Sequence, residues 1–130
     1  MHGLGMHYRA NGCFLYVGNR VNGHKEGKGT SYYDNNVPAY EGTWSRSVPH
    51  GTGRSYKPDG SLKYEGEFKR GLEHGEGTYY YRSGMTEKGV WINGQKEGKM
   101  LFYNKDGKYL HSVKYKDGVN IENKGRCFIF

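Results

Sequence analysis

At 130 residues and a formal net charge of +7, the chain has room for one domain or one short array, which excludes a catalytic domain with a second module beside it. Only 34% of residues are hydrophobic while 22 are glycine and 13 are tyrosine, so a thick aliphatic core of the α/β kind is excluded as well. Frequent glycines, three prolines and no run with apolar residues at i, i+3, i+4 and i+7 argue against helices and for an all-β chain of short strands and turns.

Residues 1–15 are interrupted by glycines, His2, His7, Arg9 and Asn11, so they do not read as a secretory leader. No apolar run approaches the roughly 20 residues of a membrane-spanning helix. The expectation is a cytoplasmic protein, with association to membrane or cytoskeleton left open. His2-Gly3-Leu4-Gly5 starts inside a repeating unit, which predicts a partial unit over 1–15 with an open strand edge.

One interval then governs the chain. Tyrosines fall at Tyr8, Tyr32, Tyr56, Tyr80 and Tyr103, in steps of 24, 24, 24 and 23. Glycines keep the same time at Gly3, Gly27, Gly51, Gly75 and Gly98, with a second glycine two residues on at Gly5, Gly29, Gly53 and Gly77 that only Met100 breaks. Tyr16, Tyr40 and Tyr64 open a segment with glycine two residues later at Gly18, Gly42 and Gly66, continued by Gly89, and an aromatic closes it at Trp44, Phe68, Trp91 and Tyr115. Full units are expected over 16–39, 40–63, 64–86 and 87–110, followed by a degenerate capping unit over 111–130.

The unit starting at Tyr64 is the clearest. Residues 64–68 alternate ring, charge, glycine, charge, ring, so as a strand Tyr64, Gly66 and Phe68 share one face and Glu65 and Glu67 the other. Glycine here is a packing surface, bare backbone on which a neighbouring ring can lie. Gly71, Gly75 and Gly77 are expected to bracket the reversal, and Asp59-Gly60 and Asp106-Gly107 are strong turn signals. The pattern lapses at Arg20 and Glu26, at Ser47, and at Glu87 and Glu97.

Tyr-Glu-Gly-x-Trp/Phe at 40–44 and 64–68, Gly-x-x-His-Gly-x-Gly at 71–77 and Asp-Gly at 59–60 resemble the MORN repeat, the membrane occupation and recognition nexus. The likeness covers about residues 16–118. It implies an elongated, single-layer twisted antiparallel sheet of hairpins stacked in sequence order, with the recurring aromatics along a groove. Larger members of that family carry catalysis on kinase or methyltransferase domains, for which nothing here provides, so the chain is expected not to be an enzyme.

Each candidate site has a plain structural alternative. Tyr40, Trp44, Tyr64, Phe68, Trp91 and Tyr115 pack on one another, or part of that stripe stays open as a groove for a helix or extended peptide. The second reading makes the chain a non-enzymatic scaffold or adaptor for a protein partner. His2, His50 and His74 share a repeat phase, but stacked hairpins advance about 9.6 Å per repeat while zinc ligands lie about 2.0–2.3 Å from one ion. No metal and no cofactor are expected. Cys13 and Cys127 are more than four units apart, on the order of 40 Å, and read as free thiols.

Charge is lopsided: residues 88–130 hold nine Lys/Arg against four Asp/Glu. Lys88, Lys96, Lys99, Lys105, Lys108, Lys114 and Lys116 are either a solvated, aggregation-resistant surface or a seat for an anion. The anion would be an acidic phospholipid, a small phosphorylated ligand or an acidic protein segment. Nucleic acid is disfavoured, because no dense basic stripe alternates with stacking aromatics. The terminal run ending in Phe128, Ile129 and Phe130 is a candidate edge for homo-oligomerisation.

Overall fold

The structure, a computed structural model, describes residues 3–12 and 14–121. Cys13, and the capping run with Cys127, Phe128, Ile129 and Phe130, lie outside the described residues, as does His2. The described chain is a single open antiparallel sheet whose strands lie side by side in sequence order. They are β1 (Gly3–Tyr8), β2 (Phe14–Val21), β3 (His24–Tyr32), β4 (Pro38–Ser45), β5 (Val48–Tyr56), β6 (Leu62–Lys69), β7 (Leu72–Tyr80), β8 (Thr86–Ile92), β9 (Gln95–Tyr103), β10 (Tyr109–Lys116) and β11 (Val119–Asn120).

Two kinds of turn alternate. Within a unit, β2–β3, β4–β5, β6–β7, β8–β9 and β10–β11 are closed by Asn22-Gly23, Arg46-Ser47, Arg70-Gly71, Asn93-Gly94 and Asp117-Gly118, with φ positive at both residues. Such two-residue turns match the twist of the strands they join. Between units the reversal is longer. Around Asp59-Gly60 the Gly60 N–H bonds the Lys57 carbonyl at 2.8 Å and Asp59 Oδ1 accepts the Ser61 N–H at 2.8 Å. Gly75 and Gly77 were expected at the reversal, but both lie inside β7, because the tight turn at Arg70-Gly71 already completes it.

Register explains the short step in the period. Where units meet, the strands slip by one residue: Ser55 faces Tyr64 while Tyr56 faces Leu62, so Lys63 is left over as a bulge. The same slip passes Leu15, Ala39 and Leu110. Between β7 and β8 there is none, since Tyr79 faces Glu87 and Tyr80 faces Thr86. The unit that recurs after 23 residues is the one lacking a bulge residue, and its side chains keep their faces.

A one-layer sheet must make its core on one face, and rings do so here. Tyr40 runs across the Gly42–Gly53 pair, and a Cβ at Gly53 would overlap its phenol. Tyr16 covers Gly29 and Tyr64 covers Gly77 in the same way. A second slip just past each glycine pair frees a carbonyl. The tyrosine hydroxyl takes it: Tyr16 bonds the Asn19 carbonyl at 2.9 Å, Tyr40 that of Thr43 at 2.9 Å and Tyr64 that of Glu67 at 3.3 Å. The closing aromatics fill the gaps edge-to-face, with centroids 5.0 Å apart for Tyr40–Trp44, 4.9 Å for Tyr40–Phe68 and 5.0 Å for Tyr64–Trp91.

Burial of the phenols pushes Tyr40 up to about 12 and raises Tyr64 further, so the fold favours their neutral forms. The unfolded chain therefore ionises first. Stability should be complete below about pH 10 and should fall as pH climbs toward 12, followed by circular dichroism against pH. Gly53→Ala should cost about 1–3 kcal/mol by overpacking the ring. Gly5→Ala, whose methyl would meet only His7 Nε2 at an ordinary contact distance of 3.7 Å, should change denaturant unfolding by less than about 0.5 kcal/mol.

Candidate binding surfaces

The face opposite the rings carries an ordered polar row. Thr30, Glu41, Arg54, Glu65, Thr78 and Lys88 stand against one another in turn across β3 to β8. Arg54 Nε and Glu65 Oε2 are 2.7 Å apart, and this contact holds the Glu65 carboxyl below the usual carboxylate range against the effect of desolvation. The Tyr80 hydroxyl donates to Glu65 at 3.0 Å and the Tyr56 hydroxyl to Glu41 at 3.2 Å. The tyrosines at 56 and 80, which keep the 24-residue time, thus orient carboxylates on this polar face.

Two hollows lie end to end along that face, about 680 and 490 Å³, sharing Glu65 and Gly66. Paired glycines form their floor and Thr43, Thr52 and Thr78 stand on their walls. Together they reach from Val17 on β2 to Lys99 and Tyr103 on β9. Seven strand spacings of 4.8 Å make this trough about 34 Å long. No single residue type marks it in the sequence, because threonine, glutamate and arginine alternate with the ring positions and look like an ordinary wet face.

Tyr40, Trp44, Tyr64, Phe68 and Trp91 come together as one ladder, each 0–6% exposed. Their surfaces are covered by each other and by glycine backbone, so they serve as core and offer a partner little ring surface. Tyr115 is half-buried beside that core. Met100 and Phe102 are core residues that the aromatic columns did not indicate.

The glycines divide by role. Gly27, Gly51, Gly75 and Gly98 have φ between +70° and +98°, whereas Gly29, Gly53 and Gly77 are glycine because a ring lies on them, with Gly42 and Gly66 opposite. Gly89 is covered by Met100 instead. Met100 is the signal that finds the exception, since it breaks the glycine column in the unit where Glu87 replaces the tyrosine.

The seven lysines are dispersed. Lys88 and Lys99 line the second hollow, and Lys88 Nζ is 5.1 Å from the Tyr103 ring centre. Lys99 directly faces Lys114 across β9–β10. Lys105 and Lys108 are exposed on the turn beyond β9, and Lys116 is 3.7 Å from Glu97. Lys96 is on the ring face, 2.9 Å from the buried Glu87 carboxylate and 4.8 Å from the Tyr115 ring centre. Burial opposes its charge, yet Glu87 outweighs that and raises its pKa.

The histidine phase fastens one unit to the next. His50 Nδ1 accepts the Arg70 N–H at 3.3 Å and His74 Nδ1 the Asn93 N–H at 3.2 Å. Glu26 and Glu97 accept the Arg46 and Asp117 N–H groups at 2.7 and 2.9 Å. Any acceptor of that reach works, which is why His and Glu interchange. Alongside, Gly71 N–H bonds the Pro49 carbonyl and Gly94 N–H the Glu73 carbonyl, both at 2.8 Å. Among the described residues no group of three or more His, Cys, Asp or Glu is arranged to hold a metal, and no helix is long and apolar enough to cross a membrane.

Repeated hairpins, ring-over-glycine packing and the acceptors at the four turns from Arg46 to Asp117 define a stacked β-hairpin array. A family model for the MORN repeat matches residues 1–14, 40–62, 64–86 and 88–99, and one for a MORN repeat variant matches residues 25–45. More than half of the chain is covered, and the chain belongs to the MORN repeat family. MORN repeats are a non-enzymatic module generally associated with binding proteins or membrane lipids. No curated protein matches the chain.

His74→Glu should leave stability within about 0.5 kcal/mol, since Glu97 holds the equivalent turn. His74→Leu, which removes the side-chain acceptor of the Asn93 N–H, should cost about 1 kcal/mol in chemical denaturation.

Proposed function

We propose that the protein is a non-enzymatic scaffold that seats a protein partner, as a helix or extended segment, in the trough opposite its ring ladder. The observation that carries this reading is the continuity of the two hollows across Glu65 and Gly66. A length of about 34 Å suits a helix of roughly 20 residues, which spans 30 Å. The floor is bare backbone at the glycine pairs, so a partner can approach closely. The alternating Glu41, Arg54, Glu65 and Lys88 provide charges that select register. The ring ladder's part is to keep this seat rigid, with Tyr115 the most accessible of the six aromatics for a direct contact.

A second reading, binding of anionic phospholipid by the basic end, is favoured by Lys88 and Lys99 lining the second hollow together. Lys105 and Lys108 are exposed on the turn beyond β9.

Proximity labelling in the native cell would identify the partner, and purified variants would then test the seat. Thr52→Trp and Thr78→Trp, which fill the trough, should weaken capture by about tenfold or more with unchanged circular dichroism. Full capture by both folded variants would overturn the protein-seat reading. Vesicle co-sedimentation indifferent to anionic lipid, or to Lys99→Gln with Lys114→Gln, would dismiss the second.

A further inference from the structure

The ring ladder has a missing rung. Edge-to-face contacts run from Tyr16 through Trp44, Tyr40, Phe68 and Tyr64 to Trp91, with centroids 4.9–5.5 Å apart, and stop there. The next rung would be a tyrosine at position 87, where Glu87 stands, 0% exposed. Its Oε1 takes the Tyr81 hydroxyl at 2.5 Å and the Lys96 ammonium at 2.9 Å, while its Oε2 has no hydrogen-bond partner among the described residues. Met100 takes the ring's place over Gly89, so the aromatic stack ends at Trp91.

Beside Trp91, where the ladder ends, a cavity of about 630 Å³ is lined by Tyr79, Tyr81, Trp91, Lys96, Glu73 and Asp117 among others. Lys96 is neutralised by Glu87 behind it. Glu73 and Asp117 make no ion pair or side-chain hydrogen bond among the described residues, so they set the sign of the cavity. It is an acidic, aromatic-walled pocket on a chain of net charge +7.

We propose that this cavity binds an arginine side chain of a partner protein. Half-buried Tyr79 and Tyr81 give the cavity flat aromatic walls. A guanidinium is flat, stacks on tyrosine and tryptophan faces, and donates in parallel to carboxylates. An ammonium is compact and strongly hydrated, and it matches the walls less well. The pocket lies on the ring face, opposite the trough, so it stands or falls independently of the proposed seat.

The probe is N-acetyl-arginine amide, titrated into the full chain and followed by amide and indole NMR shifts. The neutral isostere N-acetyl-citrulline amide is the comparison. Arginine should move the Gly94, Gly118 and Trp91 indole signals and leave Gly53 in place, and citrulline should move none. Glu73→Gln with Asp117→Asn should weaken the response by about tenfold or more. Equal responses to arginine and citrulline, or an arginine response unchanged by the two carboxamide substitutions, overturn the proposal. The citrulline comparison uses the native chain and holds even where a variant fails to fold.

Discussion

A tyrosine lying across a pair of glycines is the contact on which the rest of this sheet depends. A single layer has no second sheet or helix to bury its apolar face, so the backbone of the adjacent strand has to serve as the other half of the core. That works only where the backbone is bare, which ties Tyr16 to Gly29, Tyr40 to Gly53 and Tyr64 to Gly77. The same ring then supplies a hydroxyl to the carbonyl freed by the slip beside it. One side chain thus meets the packing need and the hydrogen-bonding need of its bulge together.

The fourth unit shows how this contact can be exchanged without losing the fold. Glu87 is too short to cover Gly89, and Met100, standing where a glycine otherwise does, reaches back to cover it. Removing a ring on one strand and adding a thioether on the next preserves volume over the glycine but leaves a carboxylate in the core. Lys96 and the Tyr81 hydroxyl compensate its charge. Desolvation together with that hydrogen bond pushes the Tyr81 phenol up to about 12. The array thereby differs chemically along its length: the centre is a closed aromatic stack, and the C-terminal part has a polar break in it.

Placing all the rings on one face also decides where partners can touch. Because strands alternate, whatever does not enter the ladder is displayed on the other side. Threonines and paired charges therefore collect there above the glycine floors. The lysines of the basic end follow the same alternation. Lys96 falls on the ring face and is occupied with Glu87, while Lys88 and Lys99 fall on the trough face. A basic sequence composition is in this way divided into separate surfaces.

The identity of the core face was legible from the residues alone, because period 2 within a strand and period 24 between units put Tyr40, Trp44, Tyr64 and Phe68 on one side, whereas the stacking of hairpins in sequence order was what the family resemblance implied. The resemblance to MORN repeats came from the same columns. Tertiary structure decided what those columns do. Whether the stripe is a groove or a core depends on ring tilt and on which backbone lies beneath, and edge-to-face packing closes it. The acceptor role of His50 and His74 depends on a turn some 20 residues later in the chain, and the missing rung depends on Glu87 and Met100 meeting across two strands. Spacing specifies which residues can meet; only their three-dimensional contact determines which surface remains open.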